Sequence, residues 1–217
     1  MDNNYIFQYW EAIQNGTVTV GKWIKTIYEI LVNGLKSGKW DFDEEKANKA
    51  INFIENFCHH SEGRNDLLKL ELWQKAIVSA IFGIMDKRTG YRQFREVFIV
   101  VARKNGKTLF AAAIAAYMAY IDGEYGAKVY FLAPKLDQAD LVYDAFYQIV
   151  QADDELDSIT KKRRSDIYIK EFNTSVKKIA FNSKKSDGFN PQMVVNDEME
   201  AWQGDQGLKQ YLSLIHI

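Results

Sequence analysis

Apolar residues recur along this chain with two different periods, and the changes of period mark its elements. From Tyr5 to about Gln14 the spacing is helical, and Asn15-Gly16 stops it. From Val20 to Leu35 the residues Ile24, Ile27, Leu31 and Leu35 recur at the same spacing, until Gly38 breaks the pattern. Asp41, three residues before Glu44, predicts the cap of a third helix, in which Ala47, Ile51, Ile54 and Cys58 form one stripe beside Phe57. His59 to Asp66 is polar, contains Gly63 and reads as a linker loop. Leu70 to Ile84 is amphipathic again, with Leu72, Trp73, Ala76, Ile77, Ala80, Ile81 and Ile84 predicted to face inward.

The period then changes. Val97 to Ala102 is an unbroken, mostly β-branched run, which predicts a strand buried on both faces, as in a parallel sheet. A short polar stretch follows, and then an alanine-rich segment from Leu109 to Ile121 that reads as a helix. Ala127 to Ala133 predicts a second strand, ended by Pro134. Leu136 to Val150 returns to helix, with Ala139, Val142, Ala145, Phe146 and Ile149 in line. Strand and helix alternating in this way predict βαβ topology with right-handed crossovers. Asp153 to Ser165 is charged and reads as loop. Ile167-Tyr168-Ile169 and Ile179-Ala180-Phe181 read as short strands, Ser183 to Pro191 as a polar loop, and Met193 to Asn196 as a last strand.

Two of these junctions carry candidate chemistry. Between the first strand and its helix stands R-K-N-G-K-T, residues 103–108. Strand, tight glycine loop and helix are the setting of a phosphate-binding loop. Backbone amides and the helix N-terminus face the phosphates, Lys107 adds a point charge, and the Thr108 hydroxyl reaches Mg²⁺. The strict pattern asks for a glycine where Val101 stands. An ordinary strand–turn–helix with an exposed lysine has the same local sequence. The last strand ends in Asp197-Glu198, the pattern of a P-loop ATPase, where the Asp holds Mg²⁺ and the Glu polarises the attacking water. Either motif alone has a plain structural explanation. Together, in this order, they point to an ATPase. Trp73-Gln74, upstream of the first strand, matches the place where translocating ATPases put a glutamine on the adenine edge with an aromatic beside it. Core packing for Trp73 and surface for Gln74 is an equal reading.

Composition narrows the picture a little. The 217 residues, 47% of them hydrophobic, suffice for one sizeable core and a small helical appendage. A net charge of −1 gives no global field for nucleic acid. Such contact would fall to local clusters: Lys161-Lys162-Arg163-Arg164, Lys177-Lys178 and Lys184-Lys185, which read equally as solvated faces. A single cysteine, Cys58, excludes an intrachain disulfide, fits a reducing compartment and lies on a helical stripe, as a small core residue does. His59 and His60 lack the further ligand spacing of a metal site. The chain opens on no leader pattern and has no apolar run of membrane-spanning length, so a cytosolic protein with no membrane partner is expected.

With both motifs placed, the chain resembles the N-terminal ATPase part of the large terminase subunit of tailed bacteriophages, the motor that packages DNA into a procapsid. The resemblance runs through V-G-K-W at 20–23, F-x-x-x-x-x-x-H-S at 53–61, L-E-L-W-Q at 70–74 and A-R-K-N-G-K-T at 102–108. It continues through D-G-E-Y-G-A-K-V-Y at 122–130, A-P-K-L-D-Q-A at 133–139, D-G-F-N-P at 187–191 and V-V-N-D-E at 194–198. The loop is the most specific piece, because terminases of this type are similar in lacking its first glycine. Asn196 departs from the apolar residue usual before the acid pair.

The resemblance implies an α/β fold: a P-loop NTPase three-layer sandwich with a mostly parallel sheet, preceded by a small helical N-terminal subdomain. Residues 1–62 would be that subdomain and 63–211 an ATPase domain incomplete at its C-terminal end. Residues 212–217 resemble a translated sequencing adapter and are set aside as a read-through tail. It further implies ATP and Mg²⁺ as cofactors. Lys107 would hold the β- and γ-phosphates within a cradle of Arg103, Lys104, Asn105 and Gly106. Thr108 and Asp197 would hold Mg²⁺, Glu198 the water, and Gln74 the adenine with Trp73 beside it. Arg103 would either stabilise charge developing on the γ-phosphate or brace the cradle. The implied partners are double-stranded viral DNA, the portal protein, the small terminase subunit and further copies in a ring, all in the host cytoplasm. The coupling strand and the RNase H-like nuclease domain are expected only in the full-length protein. This segment alone is expected to bind nucleotide weakly, hydrolyse it slowly or not at all, and cut no DNA. A helicase-like translocase and a non-hydrolysing assembly factor are the competing readings.

Overall fold

The computed structural model describes residues 4–60, 63–102, 104–133, 136–180 and 191–197. They fall into two compact units, Met1–Asn56 with Leu68–Val100, and Phe57–Leu67 with Val101–Ile217. The chain thus passes from one unit to the other and back before the second unit is completed, whereas the sequence predicts a single boundary after residue 62.

The first unit is mainly helical. Helix α1 (Tyr5–Gln14) starts where Asn4 Oδ1 accepts the Ile6 N–H at 2.9 Å and ends at Asn15, as its pattern predicts. Helix α2 (Lys22–Lys36) packs on it through Tyr28, Leu31 and Val32. The predicted α2 stripe is only half right: Leu31 is buried, but Ile24 and Ile27 are exposed. The α2 sequence is apolar over a wider arc than one neighbour covers, so spacing alone could not choose the buried side. Strand β1 (Asp41–Phe42) pairs antiparallel with β2 (Ile84–Met85). Asp41 therefore lies in a strand, and the cap of α3 (Glu44–Phe57) is Asp43, whose Oδ1 accepts the Lys46 N–H at 2.9 Å. Helix α4 (Leu72–Gly83) lies against α1. It ends at Gly83, where a Cβ would stand 2.6 Å from the Phe42 ring, so only glycine permits this approach of helix and strand.

The second unit is a mixed sheet with helices packed on it. Strand β3 (Lys128–Ala133) lies between β6 (Thr174–Ala180) and β7 (Met193–Asn196), parallel to both. Strands β4 (Thr160–Lys162) and β5 (Ile167–Ile169) continue the sheet antiparallel, in the order β4-β5-β6-β3-β7. The α/β class is as expected, but among the described residues the sheet is mixed. One face of β3 presents Phe131 to Tyr143 and Phe146 of α6 (Leu136–Ala152). The other presents Tyr130 and Leu132 to Ile179 and Val194. Helix α5 (Lys107–Tyr120) is buried along most of its length and packs on α6, its alanines allowing close approach. The charged stretch expected to be loop holds helix α7 (Asp154–Ile159). Asp153 accepts the N–H groups of Glu155 and Leu156, and acids in its first turn complement the helix dipole.

One prediction fails outright. Val97 to Ala102 forms no strand, and Val97, Phe98 and Val100 are exposed, Val100 by 93%. Its composition is that of a buried strand, but a strand needs a neighbour to satisfy its backbone, and among the described residues none pairs with it.

Candidate functional site

The candidate loop and the candidate acid meet in the second unit. Parallel pairing sets Leu132 of β3 opposite Asn196 of β7, and the Asp197 N–H then donates to the Leu132 carbonyl at 2.9 Å. This bond fixes the first residue beyond β7. Alternation puts Asp197 on the same side as Val195, which pairs with Phe131 on the helix-covered face. There α5 begins, and Lys107 Nζ lies 2.7 Å from Asp197 Oδ1. The Asp197 side chain is 11% exposed and that of Lys107 38%. The pair sits beyond the carboxyl ends of two parallel strands, where open α/β sheets place their ligands.

The loop is built for close backbone approach. Lys104 (φ 67°) and Gly106 (φ 69°) are both left-handed, and Asn105 stands between them. Asn105 Nδ2 donates to the Ala102 carbonyl at 3.0 Å and closes the turn from inside. Alternation of left- and right-handed residues turns successive N–H groups toward one side, a concavity suited to an anion. Gly106 is also the N-cap of α5, and without a side chain it leaves room for close approach to the start of the helix. Lysine at 104 accepts a conformation that costs an L-residue about 1–2 kcal/mol.

The donors suit a magnesium–nucleotide complex. One carboxylate and one hydroxyl, Asp197 and Thr108, could supply hard oxygen ligands. Mg²⁺ typically takes one or two such groups and fills its remaining positions with water and phosphate oxygen. Lys107 brings a positive charge to the same place.

The remaining candidates divide in three. Arg103 and Glu198 lie outside the described residues, as do residues 212–217 and Lys184-Lys185. Trp73 and Gln74 stand on the first turn of α4, in the first unit. Gln74 has a structural task there: its Oε1 accepts the Glu71 N–H at 2.9 Å, while the Glu71 side chain accepts the Gln74 N–H. That reciprocal pair orients the Gln74 amide and points Oε1 back at Glu71. The E-L-W-Q sequence carries the signal, a glutamine three residues after a capping side chain, which the apolar pattern of the segment hides. Trp73 packs against the apolar cluster of Ile6, Tyr9 and Tyr28. Asn196, on the sheet face opposite Asp197, keeps its Oδ1 buried with no hydrogen-bond partner among the described residues. Cys58 is fully buried, and burial, reinforced by Asp153, pushes its thiol up to about 12, so it is no nucleophile.

Comparison with known proteins places the fold and the family. The crystal structure of the HK97 bacteriophage large terminase is similar to this chain with a TM-score of 0.67 at 22% sequence identity. The match covers 79% of this chain and 36% of that one, so the chain spans about a third of that terminase's length. No curated protein sequence matches the chain. Residues 72–214 match the family described as the terminase large subunit, ATPase domain. The match takes in the loop, α5, the sheet and the Asp197 strand, and the chain belongs to that family.

Proposed function

We propose that this chain is the ATP-hydrolysing motor part of a phage large terminase subunit, coupling hydrolysis to movement of double-stranded DNA into a procapsid. Family membership supports ATP hydrolysis, and the observation that carries the site is the 2.7 Å approach of Lys107 to Asp197. It joins, at the carboxyl edge of the sheet, two motifs about ninety residues apart in the chain. In this reading Lys107 holds the β- and γ-phosphates within the backbone cradle of residues 103–106, and Thr108 with Asp197 holds Mg²⁺. The metal would lower the charge repelling an incoming nucleophile. Glu198 orients and deprotonates the water, and Arg103 meets charge on the γ-phosphate. Gln74, its Oε1 already engaged by Glu71, presents Nε2 to an acceptor on adenine, with Trp73 beside it. A three-layer P-loop sandwich, the portal protein, the small terminase subunit and a ring of copies belong to the same proposal.

The test is Glu198→Gln in the full-length subunit. Gln keeps the shape of the side chain and loses the base, so Mg²⁺-ATP should stay bound while turnover falls by about 10²–10⁴-fold. Turnover within a factor of about three of the parent would remove Glu198 from the mechanism, since a catalytic base is worth far more than that.

A further inference from the structure

The hairpin Thr160–Ile169 at the edge of the sheet is charged out of proportion to the chain. Its ten residues include Lys161, Lys162, Arg163 and Arg164 and one acid, Asp166, in a protein of net charge −1. Edge strands often carry lysines simply to block pairing with other chains. Mobile lysines suffice for that, and here two of the cations are held in place. The Arg163 guanidinium donates from Nε and Nη2 to the two carboxylate oxygens of Asp166 at 2.7 and 2.6 Å. It also lies 4.0 Å from the Tyr168 ring centroid. Lys162 Nζ sits 4.0 Å over the Tyr147 ring. Ordering long side chains costs conformational entropy, which the ring and carboxylate contacts offset in advance of any ligand. Asp166 is 3% exposed and engaged by Arg163, so the hairpin presents almost pure positive charge to solvent. Of the acids on and before α7, Asp153, Asp154 and Glu155 lie at the end far from β4, and Asp157 lies three residues before Thr160.

The arrangement also indicates the shape of the ligand. Lys161 and Lys162 are successive residues of an extended strand and point to opposite sides, and Arg164 follows in the turn, so these cations are spread along and around the edge rather than gathered at one point. Converging donors suit a single phosphate, whereas a fan suits a line of phosphates. Duplex DNA carries about one charge per 1.7 Å of axis. We propose that the β4–β5 hairpin is a sequence-independent contact for the phosphate backbone of duplex DNA, made by Lys161, Lys162 and Arg164 and held in shape by the Arg163–Asp166–Tyr168 unit. The proposal rests on the DNA-packaging reading above and adds to it the surface by which this chain holds its track.

The test is binding of this chain to a fluorescent 30-base-pair duplex of mixed sequence, by anisotropy, across a salt series. The variant Lys161→Gln/Arg164→Gln alters two exposed side chains outside the Arg163–Asp166 lock, and its melting curve should match the parent's. The slope of log affinity against log salt should become shallower by about two, near one for each phosphate that is no longer neutralised. Affinity at low salt should fall several-fold. A control, Lys22→Gln/Lys25→Gln on α2, removes the same charge elsewhere and should leave the slope unchanged. A hairpin variant with the parental slope, or a control whose slope falls as much, overturns the hairpin assignment alone. A parent chain that shows no salt-dependent binding to duplex DNA overturns the packaging reading with it.

Discussion

Two runs of the chain share one sequence character and meet different fates. Lys128–Ala133 and Val97–Ala102 are both short, apolar and rich in strand-forming residues, and each leads toward the candidate site. The first is β3, central in the sheet, with Val129, Phe131 and Leu132 almost fully buried. The second forms no strand and exposes Val100 by 93%. Sequence specifies strand competence. Pairing is specified by neighbours that lie far away in the chain. The difference bears on the site, because β3 sets the position of Asp197 through the Leu132 carbonyl, whereas Lys107 follows a run that forms no strand. Lys107 must therefore be placed by the left-handed loop just before it and by α5, which it begins, packed on α6.

That asymmetry predicts graded effects. The largest belongs to β3. Phe131→Ala, which removes a ring packed between Tyr143 and Phe146, should cost about 3–5 kcal/mol in urea unfolding. Domains of this size hold only about 5–15 kcal/mol, so nucleotide binding should fail along with the fold. Next comes the loop. A Cβ at Gly106 would meet no atom within 4 Å, so the cost of Gly106→Ala comes only from its φ of 69°. The expected loss is about 1–2 kcal/mol, visible as a lowered melting temperature. The smallest effect belongs to the Val97–Ala102 run. Val100→Asp should change the stability of this chain by no more than about 0.5 kcal/mol, as exposed positions do. A loss of several kcal/mol there would mean that Val97–Ala102 is buried as its composition suggests, and the comparison would collapse.

The same distinction explains how much of the molecule is legible in its sequence. The body of α5, strands β3 and β7 and the buried line of α6 are legible because their signals are local: an alanine-rich stretch, a short apolar run, a helical period. Helix α5 itself begins at Lys107, two residues before its alanine-rich stretch. Asp197 is legible as a strand-end acid. The Val97–Ala102 run misleads because an apolar stretch does not name its neighbour in a sheet. Helix α7 hides because its charges look like loop, although Asp153 followed by acids is a helix start. Asp41 stands in for the cap that Asp43 provides, an error of two residues that only the β1–β2 pairing resolves. The capping task of Gln74 is easily overlooked because Glu is a less usual N-cap than Ser, Thr, Asp or Asn.

The central claim is that Lys107 and Asp197 form one phosphate and metal site, and calorimetric titration with Mg²⁺-ATP tests it most directly. The parent chain, Lys107→Ala and Asp197→Asn would be compared with and without the metal. Loss of the lysine removes a charged hydrogen bond worth about 1.5–3 kcal/mol, so affinity should drop roughly ten- to a hundred-fold whether or not Mg²⁺ is present. Asp197→Asn should weaken binding mainly when Mg²⁺ is there, because its part is played through the metal. Unchanged affinity in Lys107→Ala, or equal losses with and without Mg²⁺ in Asp197→Asn, would contradict the site.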